Sequence, residues 1–450
     1  LAEERLFTEV AAGLPAVGTL RRSELLRFLG PAFVASVAYI DPGNFAANIQ
    51  GGSQFGYRLL WVLLWSNAMA ILVQYLSAKL GIVTGLSLPQ NCRRHFSRRN
   101  TLLLWVAAEV SAIATDLAEF LGAAIGIYLL FGTPLLEHGY GRTGTLFLAA
   151  VVSAVAVFAI LALEIAGYRW FERGIIGFVG VIGVCYAIEV FLVHPGWRLV
   201  AFYTLVPTLD LKSAKALHDC IYTAVAMLGA TVMPHVVYLH SSLVQPRLKE
   251  LMAREGPNSG AAMLLDRATY LRFEAVDIFI AMNGAWLVNS AMIVVAALAL
   301  GTAGLEAPTI EDAYRTLGPL LGHWAAIIFA VALLCSGLSS STVGVLAGQV
   351  IIEGFLDIKF PIFLRRLITI IPALAVIAIG LDPLRILVLS QVVLSFTLPF
   401  ALVPLLILTN REAVMGTFVS RGKTRFAGWA TVAVIVGLNV VLVGQLALGG

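Results

Sequence analysis

The sequence predicts an all-α polytopic membrane protein, on three observations. Of 450 residues, 59% are hydrophobic and only 12% charged, with a mean hydropathy of +0.90, far from the balance of soluble domains. Uncharged apolar runs of roughly 20 residues, enough for a helix to cross a hydrocarbon core of about 30 Å, recur along the whole chain. Two of those runs are interrupted by proline and glycine, in matching positions of the two halves.

Hydropathy places about eleven spans, near residues 28–55, 59–83, 101–131, 145–163, 174–194, 217–245, 273–300, 319–352, 365–380, 384–409 and 426–448. No extended soluble domain is left over. Residues 1–27 are charged and amphipathic, which predicts a cytoplasmic N-terminal segment with a short interfacial helix, neither a cleavable signal nor a span. Residues 28–194 and 217–409 then form two five-helix halves, and 426–448 an accessory span. The segment 246–272 reads as a cytoplasmic connection with helical tendency.

The net charge of +4 does not point to nucleic acid, because the basic residues lie in short clusters between apolar runs. Those clusters alternate. Arg21, Arg22 and Arg27, then "CRRHFSRR", Arg169 with Arg173, "QPRLKELMAREG", Arg365 with Arg366, and "SRGKTR" fall on one side, while the opposite loops hold few, such as Arg58, Arg142 and Arg315. The positive-inside rule puts the N-terminus in the cytoplasm and, after an odd number of spans, the C-terminus outside a plasma (inner) membrane. Cys92, Cys185, Cys220 and Cys335 are scattered without metal-site or disulfide spacing and read as packing residues.

The first span carries "YIDPGNFAANIQGG" and the sixth "GATVMPH". Pro42 and Pro234 each remove a backbone donor, while Gly43 and Gly229 permit non-helical angles. The carbonyls so freed are tolerated in a bilayer only where protein, water or an ion meets them. A proline alone is most simply a kink at a packing contact. Interrupted segments in corresponding positions of two inverted halves instead point to a transporter's midplane site. Asp41 and Asn44 stand at the first break and Met233 at the second, and no Lys or Arg lies within either span to excuse the carboxylate. With carbonyls such as those of Ala38 and Ala230, the set becomes carboxylate, amide oxygen, thioether and backbone oxygen. A thioether adds a soft ligand that favours transition metals over Mg²⁺ or Ca²⁺, although buried methionine is more often core filling.

"DPGN" in the first span with "MPH" in the sixth resembles the natural-resistance-associated macrophage protein (Nramp) family of proton-coupled divalent metal transporters, in its bacterial manganese-transporting branch. The resemblance extends through "SAIATDLAEFLGAAIG", "SGLSSSTVGVLAGQ" and "LSQVVLSFTLPFALVPLL". It implies a LeuT-like fold of two inverted five-helix repeats plus an eleventh transmembrane helix, working by alternating access. It implies metal ligation by Asp41, Asn44 and Met233, with the carbonyls of Ala38 and Ala230 in different states and Gln391 as a further, state-dependent ligand. The retained methionine argues against Mg²⁺ and Al³⁺ branches. Metal is substrate and the proton co-substrate; no other cofactor is expected, and the chain is expected to be a monomer.

In the third span Glu109, Asp116 and Glu119 fall within an arc of roughly 80° over some 15 Å. Carboxylates on an apolar helix must face the bundle interior or water, as proton relays do; structural pairing with a basic residue such as Arg366 is the alternative, and both can hold. The resemblance implies a route from Asp41 through Asp116 and Glu119 toward the cytoplasm, tuned by Arg366, with His240 near that path and His235 close to the metal. The two histidines lie about 140° apart on a helix and are not read as one metal pair. Charge supplies the coupling: ligation needs Asp41 ionised, whereas without a cation a desolvated carboxylate keeps its proton. Asp277, Asn283 and Asn289 are left open between helix-to-helix bonds and a vestibule. Small residues at Ser339 to Thr342, Gly344 and Gly348 read as close helix packing.

A sodium-coupled amino-acid symporter of the same fold is the nearest rival, but Asp41 would repel a substrate carboxylate. A less selective divalent cation transporter that includes Mg²⁺ is a further alternative. A metal channel would need acidic rings and no inverted breaks. An enzyme ranks last, since neither "HExxH" nor "GxSxG" occurs.

Overall fold

The computed structural model describes residues 30–137, 141–166, 168–249, 260–301 and 309–447, and the segment 1–27 lies outside them. Two short helices replace the first span: α1 (Pro31–Ala38) and α2 (Pro42–Phe55). There follow α3 (Leu60–Thr84), α4 (Leu88–His95), α5 (Arg98–Glu137), α6 (Arg142–Ala166), α7 (Tyr168–Val193) and α8 (Trp197–Leu205). The sixth span is again a pair, α9 (Ala214–Thr231) and α10 (Pro234–Leu243). The second half continues with α11 (Gly260–Ala299), α12 (Ile310–Leu321), α13 (His323–Leu356), α14 (Ile362–Ile379) and α15 (Pro383–Thr409), and α16 (Glu412–Met415) and α17 (Gly422–Ala447) close the chain.

Among the described residues ten continuous helical stretches are long and apolar enough to cross a membrane. The first of these, Pro42–Thr84, has 43 residues, about 65 Å at 1.5 Å per residue and twice the thickness to be crossed. Gly56, at a φ of 60°, ends α2, and a 3-10 turn over Gly56–Leu59 leads into α3. Taking α1 with α2 as one broken span and α3 as the next recovers the eleven that hydropathy predicts.

Several ends shift by a few residues, and two of the differences have a clear physical reason. The seventh span is a helix from Gly260, not from 273, so the second half of the segment 246–272 is helix continuous with α11, while 250–259 lie outside the described residues. Polar residues there weaken the hydropathy signal without breaking the helix. The eighth span begins at His323, because Gly322 at a φ of 100° separates it from α12. That short helix opens on a reciprocal cap in which Thr309 Oγ1 accepts from Asp312 N and Asp312 Oδ2 accepts from Thr309 N.

The broken helices and α5 lie at the centre, with α5 packed along α13 and α15, and α11 running beside α1, α2 and α3. Close approach is set by missing side chains. A Cβ at Gly337 of α13 would lie 2.7 Å from Ala123 Cα of α5, and one at Gly229 would lie 2.9 Å from Ser395 N of α15. By contrast the spanning helices α6, α7 and α17 carry exposed apolar side chains such as Val155, Phe191 and Val440, the surface a bilayer covers. Cys92, Cys185 and Cys220 are buried, and all four cysteines are free thiols.

Candidate functional site

The two breaks share one cause. In a continuous helix the carbonyl of Ala38 would accept from the N–H of residue 42 and that of Ala230 from residue 234. Both positions are proline, so both carbonyls lose their donor. The chain leaves helical geometry at the same points, with Asp41 (ψ 168°) capping α2 and Met233 (ψ 124°) at the N-cap of α10.

The next two carbonyls of the first break are held by other helices. Asn289 Nδ2 on α11 donates to Tyr39 O at 2.7 Å, and Ser336 Oγ on α13 donates to Ile40 O at 2.5 Å. Asn289 is in turn held by Asn48 Nδ2, which donates to its Oδ1 at 2.6 Å. Asn289 therefore has the helix-to-helix role. Asp277 has another: its Oδ2 accepts from Gly30 N and Ala32 N, both at 3.0 Å, meeting the orphan donors at the start of α1. Asn283 bonds back to Phe279 O of its own helix at 2.8 Å and accepts from Asn67 Nδ2 at 3.3 Å.

Asp41, Asn44 and Ala230 meet directly. Asp41 Oδ1 accepts from Asn44 N and from Asn44 Nδ2, both at 2.7 Å, and the same amide nitrogen donates to Ala230 O at 3.0 Å. One amide group thus bridges a carboxylate and a freed carbonyl from the other broken helix. Asp41 Oδ2 and Asn44 Oδ1 are buried without a hydrogen-bond partner. Gln391 of α15 lies against the first break, where a Cβ at Gly43 would stand 3.0 Å from its Cγ, and its Oε1 is also unpartnered. Asp41, Asn44, Met233 and Gln391 are all at most 1% exposed, so the arrangement is shut off from both faces. Among the described residues no three His, Cys, Asp or Glu side chains cluster as a metal site. Any cation here relies on the single carboxylate of Asp41 together with amide, thioether and backbone donors.

The acidic stripe of α5 faces inward. Asp116 and Glu119 are fully buried, with both oxygens of each lacking a hydrogen bond. Arg366 Nη1 of α14 lies 3.7 Å from Asp116 Oδ1, an ion pair too long for a hydrogen bond. The same guanidinium donates to Ser341 Oγ and stands 5.3 Å from the Phe120 ring centroid. Glu109, nearer the start of α5, pairs with Arg365 Nη1 at 2.9 Å, a partner that the sequence reading used only as an orientation marker. The glycines of α13 correct the packing interpretation in part. Gly337 does bring helices together, but a Cβ at Gly344 would collide with the Glu119 carboxylate and one at Gly348 with the Arg365 guanidinium. Those two glycines make room for charged groups.

His235 and His240 go to different partners. His235 Nδ1 lies 3.1 Å from Thr115 Oγ1 on α5. His240 joins a chain that the sequence reading missed: Nδ1 is 2.8 Å from Gln74 Oε1, Nε2 is 2.8 Å from Glu274 Oε1, and Gln74 Nε2 donates to Tyr39 OH at 2.5 Å. The first break is thereby connected to α3, α10 and α11. Glu274, a carboxylate at the edge of an apolar run, was available as a signal; Gln74 had none.

The chain matches the model of the Nramp family, described as natural resistance-associated macrophage protein-like, over residues 32–445. It belongs to the Nramp family. The divalent metal cation transporter MntH of Caldanaerobacter subterraneus is 45% identical over 419 residues, 93% of each chain. MntH of Deinococcus radiodurans is 45% identical over 427 residues, 95% of this chain and 91% of its own. Among solved structures, the Eremococcus coleocola manganese transporter bound to an aromatic bis-isothiourea compound superposes with a TM-score of 0.81 at 32% identity, covering 96% of this chain and 89% of that one. Mhp1, a nucleobase-cation-symport-1 family transporter, superposes with a TM-score of 0.58 at 14% identity over 93% of this chain and 92% of its own, and shares the fold alone. This Nramp chain therefore has the LeuT-like fold, and its relatives are transporters, not enzymes.

Proposed function

We propose that this Nramp chain imports divalent transition-metal ions, Mn²⁺ foremost with Fe²⁺, Co²⁺ and Cd²⁺, in symport with protons by alternating access. The observation that carries the reading is the bridge between the breaks: Asp41 Oδ1 and Ala230 O converge on one amide nitrogen, with Asp41 Oδ2, Asn44 Oδ1 and Gln391 Oε1 buried and unpartnered beside it. Turning the Asn44 amide replaces a bridging donor by an acceptor, and the same oxygens then suit a cation. Ala38 supplies the matching carbonyl and Met233 the soft ligand that disfavours Mg²⁺ and Ca²⁺. The names of the relatives, divalent metal cation and manganese transporters, support the substrate class.

Protons leave Asp41 on metal arrival and pass along Asp116 and Glu119 toward the cytoplasm, with Arg366, Glu109 and His240 shaping the path and His235 standing beside the metal. Residues 28–194 and 217–409 act as the two inverted halves, the N-terminus is cytoplasmic and the C-terminus outside, and the chain works as a monomer. An inside-negative potential favours entry by about 2.3 kcal/mol per charge per 100 mV. The test is uptake of Mn²⁺, Cd²⁺, Mg²⁺ and Ca²⁺ into proteoliposomes under that potential, with internal pH followed, in wild type and Met233→Ala. Expected are Mn²⁺ and Cd²⁺ uptake with acidification, and a gain of Mg²⁺ or Ca²⁺ transport in the variant. Equal transport of all four ions by both proteins would overturn the reading.

A further inference from the structure

Among the described residues a carboxylate outside this machinery has no hydrogen-bond partner. Glu189 lies on α7, one turn before its end at Val193, and is 1% exposed with both oxygens unpartnered. It borders a small cavity of about 10 Å³ lined also by Ile49 of α2, Tyr186 of α7, Met292 of α11, Leu317 of α12 and Phe329 of α13. The Tyr186 hydroxyl on the same cavity is unpartnered too. Among the described residues no cation faces Glu189 from any of these helices; the titratable neighbours are Cys185 and Tyr186 on α7 itself, with Cys335 of α13 beside Cys185. An ionised carboxylate enclosed this way, without a counter-charge or donor, costs several kcal/mol. A divalent ion with its waters does not fit the space, whereas a single water does.

The place of the cavity bears on what this carboxylate does. Phe45, which follows Asn44, packs edge-on against Tyr186 at 5.4 Å between centroids and lies tilted against Phe329 at 6.2 Å. This aromatic layer lies between the Asp41 and Asn44 turn and the end of the bundle at which α2, α7 and α11 finish and α13 starts. In the proposed orientation that end is external. Separating the layer would wet Glu189, and closing it would dry the carboxylate again.

We propose that Glu189 is a further proton-binding site, apart from the relay, one that takes a proton from external water when the aromatic layer closes and returns it to the same side when the layer opens, so that external pH sets the balance between the two arrangements. The proton is bound and released on one face and is not transported. One water joining Glu189 to the Tyr186 hydroxyl completes the hydrogen bonding of the neutral acid. The transport role rests on the proposed function, but the protonation state does not, and the test separates them.

Infrared spectra of the purified protein at neutral pH, compared between wild type and Glu189→Gln, report the protonated-carboxyl stretching band directly. Uptake of Mn²⁺ into proteoliposomes at fixed internal pH then reports the dependence on external pH. Expected are loss of a protonated-carboxyl band in Glu189→Gln, a change in its hydrogen bonding in Tyr186→Phe, and loss of one titrating component from the external-pH profile of Glu189→Gln. Glutamine has nearly the shape of the neutral acid, and Tyr186→Phe reads the same site if the first variant folds poorly. Identical bands in all three proteins overturn the proposal, as does an external-pH profile unchanged by Glu189→Gln. A wild-type protein that moves no metal would defeat the proposed function while the band still decides the state of Glu189.

Discussion

Replacing Ser336 by alanine removes one hydroxyl and leaves one buried carbonyl without a donor. Ser336 Oγ donates to Ile40 O at 2.5 Å, and both residues are at most 1% exposed. The helical alternative is closed, because the N–H of Asn44, four residues on, is taken by Asp41 Oδ1 at 2.7 Å. An orphaned buried acceptor costs about 1–3 kcal/mol. If the bond belongs to one of two arrangements only, the same loss shifts their ratio by about 5- to 150-fold. Ser339→Ala is the control, since that hydroxyl returns to Cys335 O of its own helix at 2.7 Å, a carbonyl within a continuous helix. Thermal unfolding in detergent and calorimetric Mn²⁺ binding are the assays. Ser336→Ala should unfold earlier than Ser339→Ala and bind Mn²⁺ more weakly, because Ile40 positions the neighbouring Asp41. Equal stability and affinity in the two variants would refute the view that α13 tethers the break.

Asp41→Asn keeps an oxygen to cap α2, since asparagine caps helices about as well as aspartate, so folding should survive while metal uptake is lost. Robust uptake by that variant would remove Asp41 from the mechanism. Gly344→Ala places a Cβ 3.0 Å from Asp116 Oδ1 and nearer still to Glu119, so proton flux should fall about tenfold, the equivalent of about 1.4 kcal/mol, with Mn²⁺ binding largely kept. Internal-pH recording beside equilibrium metal binding separates the two, and undiminished flux would mean that those carboxylates do not relay.

Hydropathy, and the pairing of Pro42 with Gly43 and of Pro234 with Gly229 in matching positions of the two halves, marked which helices span and which two break; proline alone does not, since Pro372, Pro399 and Pro404 stand inside the continuous helices α14 and α15. The carboxylates of α5 were legible because a charge in an apolar run must face inward. The partners were not legible. Asn289 and Ser336 lie 250 and 296 residues from the carbonyls that they hold, and a serine or asparagine in a span has the same appearance whether it bonds its own helix or another. In sequence Arg365 marks only orientation, and its pairing with Glu109 exists only in the fold; Glu189 shows its charge inside an apolar run, but not that no partner meets it. Sequence alone marked the two places where the chain leaves a helix and the polar side chains that stand there. Only the tertiary structure decided which freed carbonyls stay free, because that depends on donors brought from distant helices by packing.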